Sequence, residues 1–288
     1  MQTKYNFTKF DNLNEFKNWI SSKKVSRKVT RLQVHHTYLP CYAQWPEDEL
    51  TRQKNMKDYH VNNKWGDIAQ HFTIFPNGKI VTGRSLESTP IGITGWNTSA
   101  ICIEIYGNFD KETMKDEQKE AVITLYGELC KKFNLTPSSD TIRCHSWFTS
   151  GGTYLGGYSP SKSAKTCPGT KFTKAFGGLV NNYGNTKDSF EKYFYPVIKK
   201  YINGSTNCTT NVNTNNVTNS WKNGDYNCKV KATANLNLRE GRGTNYPVIY
   251  TIPKGTTFTL GYVLNNWGST WDFKGKVGYI CCDYIEKV

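Results

Sequence analysis

Apolar positions along the first two hundred residues recur with two different periods. Leu13, Phe16, Trp19 and Ile20 fall at helical spacing behind Asp11 and Asn12, either of which can cap the helix. Thr30 to Val34 alternates as a strand does and ends at His35-His36-Thr37. The mostly polar stretch from Asp48 to Asn62 reads as a helix. Gln70 to Phe75 and Lys79 to Thr82 read as a hairpin across Pro76-Asn77-Gly78. Ala100 to Tyr106 predicts a buried strand, and Lys115 to Phe133 a long helix. A last helix over Ser189 to Ile202 must kink or divide at Pro196, because proline removes a helical N–H and collides with the preceding turn. Strands and helices alternate, so the expected domain is α/β or α+β around a mixed central sheet flanked by helices.

The pattern breaks near residue 203. Residues 203–227, NGSTNCTTNVNTNNVTNSWKNGDYN, are dominated by Asn, Thr, Ser and Gly. Too little apolar surface is available there to offset the entropy of ordering, so the stretch is expected to be a linker. Beyond it, short alternating runs (LNLRE, VIYTI, TFTLGYV, TWDFKG, KVGYI) are separated by Gly, Asn and Pro. They predict a compact all-β barrel of about sixty residues, close to the lower limit for folding alone. The expected organisation is therefore residues 1–202, a linker over 203–227, and residues 228–288.

Charge narrows the partners. With 37 Lys and Arg against 23 Asp and Glu, the formal charge is +14, which draws the chain toward polyanions. The basic residues are spread over both halves and match no nucleic-acid-binding signature, so nucleic acid is the weaker reading and the anionic polymers of a bacterial wall the stronger. No run approaches the ~20 apolar residues of a membrane span. The first residues, Met-Gln-Thr-Lys-Tyr-Asn-Phe, lack the apolar core of a secretion signal, so synthesis in a cytoplasm is expected. The 9 cysteines form no CxxC pair, and in a reducing compartment most are expected as free thiols. Cys41, Cys102, Cys130 and Cys144 read as buried ones.

Three segments carry candidate chemistry: Val34-His35-His36-Thr37-Tyr38-Leu39-Pro40 at a strand end, Arg143-Cys144-His145-Ser146 after a short strand, and Lys165-Thr166-Cys167-Pro168-Gly169. Two histidines and a cysteine suit zinc, which accepts imidazole and thiolate, and a catalytic site keeps a fourth position for water. Such a centre polarises a carbonyl and acidifies water, as amide hydrolysis requires. Spacing alone leaves the alternative open, since a histidine on a strand is often an ordinary core residue. Glu104, set among Ile101, Cys102, Ile103 and Ile105, is a carboxylate that costs stability unless partnered or used.

These segments, with WGDIAQHFTIFPNGKIVTGR (Trp65 to Arg84) and ICIEIYGNF, resemble the zinc amidase family that includes phage endolysins, bacterial autolysins and animal peptidoglycan recognition proteins. The resemblance spans about residues 30 to 175. It implies a type 2 amidase fold and cleavage of the amide between N-acetylmuramic acid and the L-alanine of the stem peptide. It implies that His35, His145 and Cys167 ligate Zn2+, that His36 is structural or faces the other side of its strand, and that Lys165 stabilises the oxyanion. It also implies that Glu104 is the general base. One branch of the family places a tyrosine where this chain has Gln70, which cannot transfer protons, so that work falls to Glu104. The stretch from His145 to Cys167 is longer than in compact members, and its Gly-, Ser- and Tyr-rich sequence reads as a mobile flap beside the metal. His60 and His71 read as structural, with His71 a candidate for supporting hydrogen bonds.

The phrases from Ala234 to Ile249, Pro253-Lys254-Gly255-Thr256 and Gly278-Tyr279-Ile280 resemble bacterial SH3-like domains. That resemblance implies binding to the wall, with Arg239, Arg242, Tyr262, Trp267, Trp271 and Tyr279 as candidate contacts. The whole reads as an endolysin-type amidase acting on peptidoglycan, of the Gram-positive kind given the basic charge, after release from the cell that made it. The alternatives are a non-catalytic peptidoglycan-binding protein and a cysteine peptidase acting on stem peptides.

Overall fold

The computed structural model describes every residue except 46–47, 180–182, 205–220, 223, 244–245, 265, 274 and 276. The chain divides into two compact units, residues 1–210 and 211–288.

The first unit is built on a mixed sheet. In chain order its elements are β1 (Gln2–Lys4), β2 (Phe7–Phe10), α1 (Leu13–Ser22), β3 (Arg31–His36), α2 (Glu49–Asn62), β4 (Phe72–Ile74), β5 (Ile80–Thr82), β6 (Ala100–Ile105), α3 (Asp116–Phe133) and β7 (Ile142–Cys144). The strands lie in the order β1-β2-β5-β4-β6-β3-β7. β3 runs parallel to β6 and β7, and β4 parallel to β6, while the remaining pairs are antiparallel. The mixed α/β sheet expected from the sequence is therefore present.

Local chemistry sets the ends of these elements. Asn12 Oδ1 accepts from the Glu15 N–H and the Glu15 carboxylate accepts from the Asp11 N–H, closing α1 at its start. Asp48 caps α2 through the Thr51 N–H. Asn134 ends α3 in the left-handed conformation, φ 52°. At the C-terminal side, α4 (Lys187–Ser189) passes through a π-helical stretch (Phe190–Phe194) into α5 (Tyr195–Gly204). The wider turn, in which the Tyr195 N–H reaches back to the Phe190 carbonyl, absorbs Pro196 without breaking the helix. The β1–β2 hairpin was not anticipated. Its two-residue turn places Tyr5 and Asn6 at φ 56° and 64°, the positions an asparagine favours.

Alternation along the strands gives the sheet two different faces. Phe10, Phe72, Ile80, Val34 and Ile103 point into the main core, with Phe16 and Ile20 of α1 and Leu125 and Leu129 of α3. Phe7, Phe75 and Val81 point the other way, onto Leu50 and Met56 of α2. α2 therefore covers the face opposite to α1 and α3.

The second unit is β-rich: β8 (Gly224–Ala232), β9 (Leu236–Arg239), β10 (Val248–Ile252), β11 (Thr257–Leu264), β12 (Trp267–Thr270), β13 (Gly278–Cys281) and β14 (Ile285–Lys287). They form an antiparallel sheet in the order β10-β9-β13-β12-β11-β8-β14 around Leu238, Leu260, Val263 and Ile280. No ladder joins β10 to β14, so among the described residues the sheet is not a closed barrel. The run TWDFKG was expected as a strand, but pairing occurs one turn earlier, at Trp267–Thr270, where Ser269 meets Tyr279. The linker expected over 203–227 lies mostly outside the described residues, and Gly224 already opens β8.

Candidate metal centre

The parallel strands deliver the candidate residues to one place. In register, Thr73 of β4 lies beside Glu104 of β6, and Glu104 beside His35 of β3. Because Val34 and Ile103 are core residues, His35 and Glu104 face the α2 side. His145 follows the end of β7, itself parallel to β3, so the histidines and the carboxylate sit at the carboxyl ends of adjacent strands. α2 leaves space there. A cavity of about 900 Å³ is lined by His35, Glu104, His145, Lys165 and Cys167, and on the helix by Tyr59.

Cys167 arrives on a turn that is held from several sides. Ser146 N–H donates to the Cys167 carbonyl at 2.8 Å. Asp110 accepts from Thr166 Oγ1 at 2.7 Å and from Thr170 N–H at 2.8 Å. Asn185 Nδ2 donates to the Thr166 carbonyl at 2.8 Å. Gly169, at φ 107°, lets this turn press on the backbone of Phe109, where a Cβ would lie 2.4 Å from the Phe109 carbonyl carbon.

One ligand atom each from His35, His145 and Cys167 lies within 4.8 Å of the others. The two imidazoles stand edge to face with centroids 5.2 Å apart, and Cys167 Sγ is 3.6 Å from His35 Nδ1. That N···S separation equals the edge of a tetrahedral zinc site, about 3.6 Å from ordinary Zn–N and Zn–S lengths. The electrostatics agree. Burial lowers the His35 pKa well below 6.5 and takes His145 down to about 4, with Lys165 adding to both, so both rings are neutral donors. Burial and then the Glu104 charge push the Cys167 thiol well up, against a 3.4 Å hydrogen bond from the His36 N–H. A cation is what would ionise such a thiol. The residues present fit Zn2+.

Glu104 is raised to about 8 by burial, with Lys165 pulling the other way. Lys165 is exposed at the cavity wall. His36 turns to Phe109, whose N–H donates to its Nδ1 at 3.1 Å, a structural role. Gln70 is buried in the cavity wall and donates to Thr73 Oγ1 at 2.9 Å.

Several expectations change. The lining of the cavity passes from His145 directly to Lys165, and the intervening stretch lies outside that lining. It is tied down by Leu155 N–H to the Trp147 carbonyl, Ala164 N–H to the Phe148 carbonyl, and Arg143 stacked on the Tyr154 ring at 3.7 Å. His60 accepts from the Ala69 N–H at 3.1 Å and stacks on Trp65 at 4.7 Å, as a structural residue does, and it also lines the cavity. His71 is structural, bonded to the Cys102 N–H and the Ser88 carbonyl. Cys102, Cys130 and Cys144 are buried, but Cys41 is partly exposed. The sequence reading missed Asp110, Gln33 and Asn97. Gln33 carried a signal, a lone amide among apolar residues of a buried strand.

In the second unit, Tyr262 N–H donates to Ser269 Oγ, Ser269 pairs with Tyr279, and Tyr279 pairs with Arg239. Arg242 lies over Tyr279 at 4.4 Å and over Tyr262 at 5.7 Å. A Cβ on Gly261 would stand 2.5 Å from the Trp271 ring, so that indole covers the neighbouring backbone. Trp267 takes part in none of these contacts and is half-buried opposite Cys281.

A mixed sheet with an N,N,S donor trio at the ends of its parallel strands defines a site that could hold a metal ion. A family profile described as N-acetylmuramoyl-L-alanine amidase (Amidase_2) matches residues 25–170, just over half of the chain, and the chain belongs to that family. Peptidoglycan-recognition protein SC2 of Drosophila simulans is 30% identical over 86 residues, 30% of this chain and 46% of that protein. The match thus spans about half the length of this curated relative. Among solved structures, the endolysin N-acetylmuramoyl-L-alanine amidase LysCS from Clostridium intestinale is 24% identical, with 52% of this chain and 83% of that one covered and a TM-score of 0.38. Drosophila PGRP-LB is 18% identical, with 60% and 85% covered and a TM-score of 0.43.

Proposed function

We propose that this protein is an endolysin-type peptidoglycan hydrolase that cleaves the amide between N-acetylmuramic acid and the L-alanine of the stem peptide. The observation that carries the reading is the His35–His145–Cys167 trio converging in a cavity beside Glu104. These three side chains would hold Zn2+, which when bound polarises a carbonyl and acidifies water. Glu104 takes a proton from the attacking water and returns it to the leaving L-alanine nitrogen. Lys165, exposed at the cavity wall, faces the negative charge that develops on the carbonyl oxygen.

Residues 1–202 form the catalytic domain in this reading, and residues 228–288, joined by a linker, form an SH3-like wall-binding domain. Tethering raises the local concentration of the enzyme on its polymer. The formal charge of +14 favours a Gram-positive wall rich in anionic polymer. A cysteine peptidase is disfavoured because Cys144 Sγ faces Ser146 Oγ and the Asn185 carbonyl, and its thiol is pushed up by burial.

The test is the appearance of new N-terminal L-alanine in purified Gram-positive walls, with chelator and after zinc is returned. Alanine termini that vanish and return with zinc support the amidase. Walls that bind the protein yet stay intact would make it a recognition protein, and cleavage that survives chelation but not thiol alkylation would make it a peptidase.

A further inference from the structure

Gln33 is wholly buried in β3, two residues before His35 and on the same face of the strand. Its orientation is dictated by its neighbours. Nε2 donates to the Trp96 carbonyl and to Asn97 Oδ1, each at 3.0 Å. A carbonyl only accepts, so the amide NH2 faces Trp96 and the amide oxygen is turned away from it. Asn97 is fixed by the same logic, because its Oδ1 also accepts from the N–H groups of Gly92 and Ile93, each at 2.9 Å.

The oxygen so directed, Gln33 Oε1, lies 3.3 Å from His35 Nε2. It can only accept, so the proton of the neutral ring sits on Nε2. The lone pair is then on Nδ1, the atom 3.6 Å from Cys167 Sγ. Gly92 leaves room for this contact. A Cβ there would stand 2.0 Å from Gln33 Oε1 and 2.9 Å from His35 Nε2.

We infer that Gln33 is a positioning residue that locks His35 in the Nε2–H tautomer and thereby presents Nδ1 to the cation shared with His145 and Cys167. The loop from Gly92 to Asn97 sets the lock by aiming the Gln33 amide. Partners of this kind fix both the ring orientation and the basicity of a ligating histidine. The inference rests on the metal reading above, and its readouts are separate from wall cleavage.

The tautomer is read by ring-nitrogen NMR of the metal-free, full-length protein at neutral pH, and the affinity by zinc competition with a chromophoric chelator. Wild-type His35 is expected as Nε2–H. Gln33→Met, similar in volume but without the acceptor, is expected to release the ring to both tautomers and weaken zinc binding about 10- to 100-fold. Gly92→Ala, whose Cβ crowds both the Gln33 oxygen and the His35 ring, is expected to act in the same direction. If Gln33→Met does not fold, Gly92→Ala decides on the same two readouts. A wild-type ring protonated on Nδ1, or wild-type zinc affinity in the folded variants, overturns the inference. A wild-type protein that shows the Nε2–H ring but binds no zinc overturns the metal reading and with it the purpose assigned to the lock.

Discussion

Glu104 and His35 are direct neighbours in the parallel pairing of β6 with β3, and the Glu104 carboxylate accepts no hydrogen bond from any described residue. The side chain is half-buried and lines the cavity, where its carboxylate is open to whatever the cavity admits. Burial raises its pKa to about 8, and Lys165 opposes the shift. Glu104→Gln keeps the shape and removes the base. Release of L-alanine termini is expected to fall about 10²- to 10⁴-fold, with zinc content unchanged by metal analysis. In the wild type the rate should decline on the acid side as Glu104 takes up its proton, starting below about 8 because a bound cation would favour the charged form. Wild-type turnover in Glu104→Gln would remove Glu104 from the chemistry.

Metal removal has a separate, thermodynamic signature. In the proposed zinc site Cys167 would supply the thiolate ligand, so Cys167→Ser should lose stoichiometric zinc and all measurable wall cleavage. A ligand that binds only the folded state stabilises it by ~2.7 kcal/mol at a hundredfold excess over Kd. For a unit of this size, at about 2–4 °C per kcal/mol, that corresponds to a rise in Tm of roughly 5–11 °C. Differential scanning calorimetry with and without chelator should show this shift in the wild type and not in Cys167→Ser.

The parts of this site that were legible in the sequence are those tied to periodicity or to a short motif. β3, β6 and α3 could be placed from their apolar spacing, and the His35, His145 and Cys167 segments stood out as donors. What sequence could not show is pairing. Glu104 lies beside His35 because β6 runs parallel to β3, a fact of register between residues nearly seventy positions apart. Gln33 and Asn97 become meaningful only when a loop and a strand meet. The stretch after His145 is rich in glycine and serine, and its bonds from Leu155 to Trp147 and from Ala164 to Phe148 are likewise a matter of pairing that sequence does not display. The β1–β2 hairpin was overlooked because its strands are three and four residues long, too short for a periodic signal.

In the second unit, the half-buried Arg242 lies over the half-buried Tyr279 and the exposed Tyr262. If this face grips the wall, Arg242→Ala and Tyr279→Ala should weaken co-sedimentation with purified walls severalfold, in line with roughly 1 kcal/mol per cation–π contact. Hydrolysis of a soluble muropeptide should be unchanged, since the active-site cavity is untouched. Equal loss on soluble and insoluble substrate would mean that the variants damage the catalytic unit instead.

His71 makes the first unit sensitive to acid in a way that can be isolated. Its Nδ1 accepts from the Cys102 N–H at 2.9 Å and its Nε2 donates to the Ser88 carbonyl at 3.0 Å, so the ring is held neutral between β6 and the loop at Ser88. A proton on Nδ1 would face an N–H. Burial, the main cause, puts the folded pKa at about 3, against an ordinary value of 6.5. Because the folded value is depressed, the stabilisation is fully present above pH 6.5 and is lost as pH falls toward 3. At ~1.4 kcal/mol per unit the full loss is on the order of 5 kcal/mol. His71→Asn keeps an acceptor for the Cys102 N–H, gives up the Ser88 bond and cannot titrate. It should cost about 1 kcal/mol at neutral pH. It should also unfold in urea with a flatter dependence on pH than the wild type between 6.5 and 3, even though carboxylates such as Asp110 lose stability in the same direction in both proteins. Parallel pH profiles for the two proteins would show that His71 is not the group that couples acid to unfolding.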